Sequence, residues 1–329
     1  MYNYHEGTCM KIGNGLKIAT SNKSLWLKTM LAKSVVVCIF IAVIYAIASI
    51  IIEPILKSEE LKELISAFRT IISDFVLFKD SAVEAHAELL KESTANLLIF
   101  INSMLSNIIW VGIAIIILFQ LMVFTFSMFD YVIGINVNEH MSSMLHSGFF
   151  GTLFENFKQA SKYALYRTVT MFIYDIVVFS IIVLLFYALT GVLGMFTLTF
   201  IVAIIFISIA LRLTFTGLIL PIMISENKGP IEAMKESFKL YKIPGGFNRF
   251  FSYLIVSIVV YVVVLISGVV TFNVAYVLTI PLSGIIFKSL RFVDYYTIKC
   301  KKYYITFDEI VIPKELRQND EQLLNKVDI

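Results

Sequence analysis

The chain has 329 residues, of which 58% are hydrophobic and 16% are charged, and its mean hydropathy is +0.84. These values exclude an ordinary soluble globular domain. The net charge of +3 is small and does not favour nucleic-acid binding. We therefore predict an all-α polytopic membrane protein with no nucleic-acid partner.

The N-terminal segment, residues 1–33, is polar and basic. Its lysines are interspersed with apolar residues, a pattern typical of a helix lying at a membrane surface. We predict a cytoplasmic amphipathic segment here, followed by a first membrane span over residues 34–52. This span is expected to end or kink near Glu53 and Pro54, because proline cannot continue the helical hydrogen bonds.

The largest hydrophilic insertion covers residues 57–104. Apolar residues recur there at three- and four-residue steps, in two stretches separated by Asp80 and Ser81, as amphipathic helices require. Ser81 and Glu84 have the spacing of a capping box that would open the second helix. We predict an extracytoplasmic helical hairpin that buries its apolar stripes and could also contact a protein partner.

Further apolar runs predict five more membrane spans, since about 20 apolar residues cross a bilayer. Together with the first span they form a six-helix transmembrane bundle over residues 34–293, followed by a cytoplasmic tail over residues 294–329. The further spans cover residues 107–129, 168–189, 195–223, 250–270 and 271–287.

Lysine and arginine are distributed unequally between the two sides of these spans. Five precede the first span, three lie in residues 136–167, five in residues 226–249 and eight from Lys288 onward. The hairpin holds five, against nine acids when Glu53 is included, and the other two outer loops hold none. The positive-inside rule therefore predicts a multi-pass cell-membrane protein with both termini cytoplasmic.

A short sequence pattern recurs before the third and the fifth span. Residues 155–158 read ENFK and are followed by Arg167, whereas residues 236–239 read ESFK and are followed by Arg249. Each pattern belongs to a basic segment that is followed by a span leading out of the cytoplasm, a tight turn and a span leading back. With a weaker N-terminal counterpart, it predicts three parallel repeats of surface helix plus transmembrane hairpin.

Residues 220–239 read LPIMISENKGPIEAMKESFK. This stretch resembles the segment "apolar-Pro, acidic turn, Ala-x-x-x-Ser-x-x-Leu" of a superfamily of bacterial six-span inner-membrane proteins. The superfamily includes YciC-type proteins and the membrane domain of some glycerophosphodiester phosphodiesterases. The resemblance covers spans three to six and implies the six-span fold. Phosphodiesterase activity is not expected to carry over, because no soluble catalytic domain follows span six.

Two charges interrupt the apolar runs, Asp175 in span three and Arg212 in span four. At 1.5 Å per residue, Asp175 lies roughly 12 Å inside Arg167, and Arg212 lies roughly 14 Å from Pro221. Adjacent antiparallel spans would therefore place opposite charges at similar depth. We predict an intramembrane ion pair that either fixes helix register, the interpretation we favour, or forms a gate or proton-coupled site.

Other basic residues lie beside the predicted spans. We expect them at the membrane interface, in contact with anionic lipid headgroups on the cytoplasmic side. They are Lys158, Lys162, Arg167, Lys235, Lys239, Lys242 and Arg249.

No metal site, cofactor or catalytic centre is predicted. Glu139, His140 and His146 lie close together in the sequence, but a zinc site requires further ligands at suitable spacing. We interpret these three as solvated loop residues. The sequence has no Ser-His-Asp order, phosphate-cradling glycine loop or nucleophile elbow, so an enzyme is not expected.

Two functions remain open on the sequence. The first is a non-enzymatic membrane scaffold or accessory subunit that holds a partner through the hairpin, the surface helices or the tail. The second is a small-solute or lipid transporter whose path passes Asp175 and Arg212. A water-filled cavity at Arg212 would favour transport, whereas an exposed apolar stripe on the hairpin would favour a partner.

The predicted orientation can be tested with a reporter enzyme fused at residue 80. We expect a reporter that is active only outside the cytoplasm to be active there, because the hairpin carries an excess of acids. A second fusion within residues 226–249 provides the matched cytoplasmic control. Cytoplasmic activity at residue 80 would overturn the topology.

Overall fold

The computed structural model describes residues 7–76, 80–145, 147–194, 196–241, 246–272, 275–306 and 308–312. Helices form most of this part of the chain, and one pair of short strands follows the last helix. The helices are α1 (Gly7–Ser21), α2 (Lys23–Lys57), α3 (Glu59–Val76), α4 (Asp80–Ser103), α5 (Leu105–Ser143), α6 (Phe149–Glu155), α7 (Phe157–Leu193), α8 (Phe196–Thr216), α9 (Ile219–Glu226), α10 (Pro230–Tyr241), α11 (Gly246–Val270) and α12 (Tyr276–Ile298). The strands are β1 (Tyr303–Thr306) and β2 (Glu309–Val311).

Six helical segments in the part of the chain that the structure describes are long and apolar enough to cross a membrane. This finding confirms the all-α polytopic class, because a helix satisfies most of its backbone hydrogen bonds internally. The segments are Lys23–Lys57, Leu105–Ser143, Phe157–Gly191, Phe196–Glu226, Phe247–Val270 and Tyr276–Ile298.

Several helices extend beyond the predicted spans. Helix α2 continues through Pro54 to Lys57, although the proline removes one backbone hydrogen bond. Helix α5 continues to Ser143, where the sequence predicted a loop. Helix α12 begins at Tyr276 and ends at Ile298, later than predicted at both ends. The added turns of α5 and α12 bury apolar residues, among them Val132, Ile133, Val137, Met141, Leu290, Phe292 and Val293.

The chain divides into two compact units, residues 36–122 and residues 1–35 with 123–329. In the first unit, α3 and α4 pack against each other, as the hairpin prediction requires. Ser58 precedes α3, and its hydroxyl accepts a hydrogen bond from the backbone N–H of Leu61 at 3.2 Å, so it caps the helix. The side chains of the predicted capping box at Ser81 and Glu84 lie outside the described residues.

In the second unit, four long helices pack in sequence order: α7 against α8, α8 against α11, and α11 against α12. A buried cluster between α8, α11 and α12 contains Ala210, Leu213, Tyr253, Val256 and Leu290. Short helices α1 and α10 also pack in this unit, against α12 and against α8 and α9 respectively. We call the end of the unit that carries α1, α10 and the strands the capped end.

The fourth apolar run is divided into α8 and α9 at Gly217 and Leu218. Pro221 explains the break, because proline has no N–H to donate to the carbonyl of Gly217 and its ring collides with that carbonyl. A side chain at Gly217 would collide with the carbonyl oxygen of Leu213. Pro221 therefore accounts for the break, and Gly217 fits it because it has no side chain.

Helix α1 packs into the unit instead of standing alone as a surface segment. Ile18 is buried, and the amide of Asn14 donates to the hydroxyl of Tyr303 at 3.0 Å. Gly15 allows the close approach to α12, since a Cβ there would lie 3.2 Å from the Cα of Leu290. The predicted amphipathic segment over residues 1–33 thus separates into α1 and the start of α2.

The predicted tail over residues 294–329 begins with structure that the sequence analysis did not identify. Helix α12 continues to Ile298, and β1 then pairs antiparallel with β2, with Tyr303 opposite Val311. Alternate residues of β1, Tyr303 and Ile305, are buried. Residues 313–329 lie outside the described part of the chain.

The repeat prediction agrees with the helix order at two points and differs at one. Short helices α1 and α10 each precede a long helix, as predicted. In the middle predicted repeat the surface helix breaks at Asn156. Helix α6 is therefore short, and Lys158 and Lys162 belong to α7. Repetition itself stays a prediction.

Candidate functional site

The capped end contains a buried carboxylate that faces three cations. Asp130 lies in the second half of α5, and its side chain is 8% exposed. Its Oδ1 lies 3.1 Å from Nζ of Lys33 in α2 and 2.7 Å from Nζ of Lys288 in α12. Its Oδ2 accepts a hydrogen bond from Nη1 of Arg167 in α7. We call these four residues the Asp130 cluster.

Two properties of the Asp130 cluster matter for the site. Removing one partner of a buried ion pair leaves an uncompensated charge, which costs about 3–5 kcal/mol, so the cluster strongly favours one arrangement of its helices. The cluster also carries more positive than negative charge. The guanidinium of Arg167 therefore lies in surroundings that carry net positive charge, even though it contacts a carboxylate.

The predicted pair of Asp175 and Arg212 is brought together between α7 and α8. Nη1 of Arg212 donates to Oδ1 of Asp175 at 3.2 Å. The guanidinium also lies over the ring of Tyr174, 5.7 Å from its centroid, and the Tyr174 hydroxyl donates to the carbonyl of Ser208 at 2.7 Å. The Asp175 side chain is 60% exposed on the protein surface, whereas that of Arg212 is 26% exposed.

A cleft of about 110 Å³ lies between α7, α8 and α12, beside both groups of charges. It is several times larger than the roughly 10–15 Å³ that one water requires. Three arginines, Arg167, Arg212 and Arg291, reach its wall. The other lining residues are Tyr163, Tyr166, Thr170, Met171, Tyr174, Leu213, Thr216 and Ile219. We call this space the arginine cleft.

Arg291 in α12 contributes a charge with an unused donor. Its buried Nε has no hydrogen-bond partner among the described residues. Buried donors without a partner are uncommon and cost about 1–3 kcal/mol. An oxyanion in the arginine cleft would provide acceptors for such a donor, and negative charge for the three guanidinium groups.

The predicted interfacial basic residues fall into three groups. Lys158, Lys162, Lys235 and Lys239 are exposed, whereas Lys242 lies outside the described residues.

Arg167 and Arg249 do not lie free at an interface as predicted, because both side chains bind other groups of the capped end. Arg167 binds Asp130, and Arg249 is 5% exposed. Nη2 of Arg249 donates to the carbonyls of Leu240 and Tyr241 at 2.9 and 3.3 Å. These are carbonyls at the end of α10, which lack intrahelical partners.

A second charge cluster joins α9, α10 and the residue after α12. Nζ of Lys299 lies 2.6 Å from Oε1 of Glu236 and 2.9 Å from Oε1 of Glu226, and Lys228 contacts both acids. Burial opposes the charge on Glu236, but hydrogen bonds from Lys228 and Lys299 outweigh it and lower the pKa of the carboxyl. Burial likewise opposes the charge on Lys299, but hydrogen bonds to Glu236 and Glu226 raise its pKa. This cluster is internally neutralised.

His140 is a buried residue, not a solvated loop residue as predicted. It is 2% exposed on α5, and its Nε2 lies 3.1 Å from the carbonyl of Ile305. No group of three potential metal ligands occurs among the described residues. His146 and the side chain of His86 lie outside that part of the chain.

The hairpin of α3 and α4 leaves an apolar face uncovered. Ile65, Phe68, Ile72 and Val76 are 49–64% exposed. At about 100° per residue they share one side of α3, next to the side that α4 covers. We call these four residues the α3 stripe.

The Asp130 cluster and Arg291 of the arginine cleft were missed by sequence reasoning. Asp130, Lys33, Lys288 and Arg291 lie just outside the predicted spans and were not singled out, although a charge so close to an apolar run is a functional-site candidate. Their convergence comes from helices distant in sequence. Only the pairing of Asp175 and Arg212 had a local signal, because their spans are consecutive.

Comparisons of this chain with protein-family models, with curated proteins and with solved structures find no match.

The contact of Asp175 with Arg212 can be tested by charge reversal. We expect Asp175→Arg and Arg212→Asp each to lower the thermal stability of the purified protein, because each places like charges together. The double variant should recover much of the loss, with a coupling energy of about 0.5–3 kcal/mol. Additive losses in the double variant would show that the two side chains do not interact.

Proposed function

We propose that the protein is a non-enzymatic scaffold or accessory subunit of the cell membrane, with both termini cytoplasmic. In this proposal the hairpin of α3 and α4 lies outside the cytoplasm and holds a partner protein. The observation that carries the proposal is the exposed α3 stripe. Four large apolar side chains on a polar hairpin form a contiguous patch of the kind that marks interaction sites.

The chemistry of the hairpin suggests what kind of partner it takes. Residues 57–104 contain eight acids and five bases, so the hairpin is acidic and is not attracted to anionic lipid. A helix pair with an uncovered apolar stripe offers a groove for a third, amphipathic helix. The apolar side chains of that helix, at three- and four-residue steps, would fill the groove. We infer a partner helix with an apolar face and a basic rim.

The resemblance to bacterial six-span inner-membrane proteins supports the membrane location in this proposal. It suggests no particular partner or pathway.

A second candidate function is transport of a small solute or a lipid. The arginine cleft beside Arg212 favours it, because charged residues that line cavities inside membrane domains often mark solute paths. The two functions are separable, since the α3 stripe and the arginine cleft belong to different units of the chain.

Photo-cross-linking tests the scaffold proposal directly. A benzophenone amino acid at Ile72, in the centre of the α3 stripe, should give an adduct with one discrete partner in native membranes. The same amino acid at Thr70 is the matched control, because Thr70 is exposed on the opposite side of α3. With the benzophenone amino acid placed at Val76 instead, Phe68→Ser should weaken the adduct, because it removes a neighbouring apolar anchor of the α3 stripe.

The partner proposal fails if Ile72 gives no adduct or if Thr70 gives the same one. An adduct with a second copy of the chain would replace the proposed partner by a homo-oligomer.

A further inference from the structure

We propose that the arginine cleft is a binding site for a phosphate group, contacted by Arg167, Arg212 and Arg291. This site is independent of the α3 stripe and of the scaffold function.

The first argument is the balance of charge. Asp130 and Asp175 are the acids that contact the cleft arginines. Asp130 is shared with Lys33 and Lys288, and Asp175 stands at the exposed margin. No acid forms an ion pair with Arg291 among the described residues. Positive charges converge here in excess, and an anion would relieve their mutual repulsion.

The second argument is geometry. The three arginines come from α7, α8 and α12, so they approach the cleft from different sides. A guanidinium presents several N–H donors in a planar fork that matches two oxygens of a phosphate. Arg167 and Arg212 each use Nη1 for a carboxylate, and the Nε of Arg291 meets no acceptor within the described ranges. A tetrahedral anion can use donors from all three directions.

The third argument is the position of the cleft along the helices. Arg212 lies four residues before the end of α8 at Thr216, or roughly 6 Å at 1.5 Å per residue. Apolar Met171, Leu213 and Ile219 share the wall with the arginines. The cleft thus combines anion donors with apolar surface beside the break between α8 and α9, as binding a lipid phosphodiester requires.

The same recognition chemistry fits two sources of phosphate. One is the phosphodiester of an anionic lipid headgroup, and the other is free inorganic phosphate. The measurements should therefore use the full chain in detergent with inorganic phosphate, and in nanodiscs of phosphatidylcholine with and without phosphatidylglycerol.

We expect inorganic phosphate or phosphatidylglycerol to raise the thermal unfolding temperature, relative to chloride at equal ionic strength or to phosphatidylcholine alone. Arg291→Gln should weaken that binding about 10-fold or more, as expected for a charge-assisted hydrogen bond. Arg69→Gln is the matched control. It removes one positive charge from an exposed position on α3, and its binding should equal that of the unaltered chain.

A second measurement needs no substitution. Phenylglyoxal modifies accessible arginines, and the side chains of Arg167 and Arg212 are 24% and 26% exposed. Peptide mass spectrometry should show slower modification of these two residues when the ligand is present, and no change at Arg69.

Protection by phosphatidylglycerol alone assigns the site to a lipid headgroup, and protection by inorganic phosphate alone assigns it to a soluble phosphate. The proposal is overturned if neither protects the cleft arginines, or if Arg69→Gln weakens binding as much as Arg291→Gln.

Discussion

The capped end depends on one carboxylate. Asp130 of α5 contacts Lys33 of α2, Arg167 of α7 and Lys288 of α12, so a single side chain links four helices that are far apart in the sequence. Its burial makes these contacts strong, because little water is present to screen them. The same contacts leave the surroundings positively charged.

That excess of charge connects the fold to the arginine cleft. Arg167 is oriented by Asp130, and Arg212 is held between Asp175 and the ring of Tyr174. Both guanidinium groups are therefore fixed before a ligand arrives, and a prearranged site loses less entropy on binding. The two ion pairs serve structure and, in our proposal, recognition. The structural and functional interpretations of Arg212 are thus compatible.

The sequence predicted the class of fold well, because apolar runs of about 20 residues are long enough to cross a bilayer and rarely occur in soluble domains. It also predicted the pairing of Asp175 with Arg212, since helices joined by a short turn must lie side by side. It failed where burial extends beyond the predicted spans. The ends of α5 and α12 and the burial of α1 depend on contacts between distant segments, which periodicity alone does not reveal. Arg249 looked interfacial for the same reason.

If Asp130 holds the capped end together, the variant Asp130→Asn should be much less stable than the unaltered protein. Thermal or denaturant unfolding of the purified protein should show a loss of about 3 kcal/mol or more, because three cations lose their shared partner. Glu309→Gln is the control, since it removes a carboxylate from an exposed pair with Lys17 and should cost about 1 kcal/mol or less. Equal stability of the Asp130→Asn variant and the unaltered protein would show that the capped end does not depend on this carboxylate.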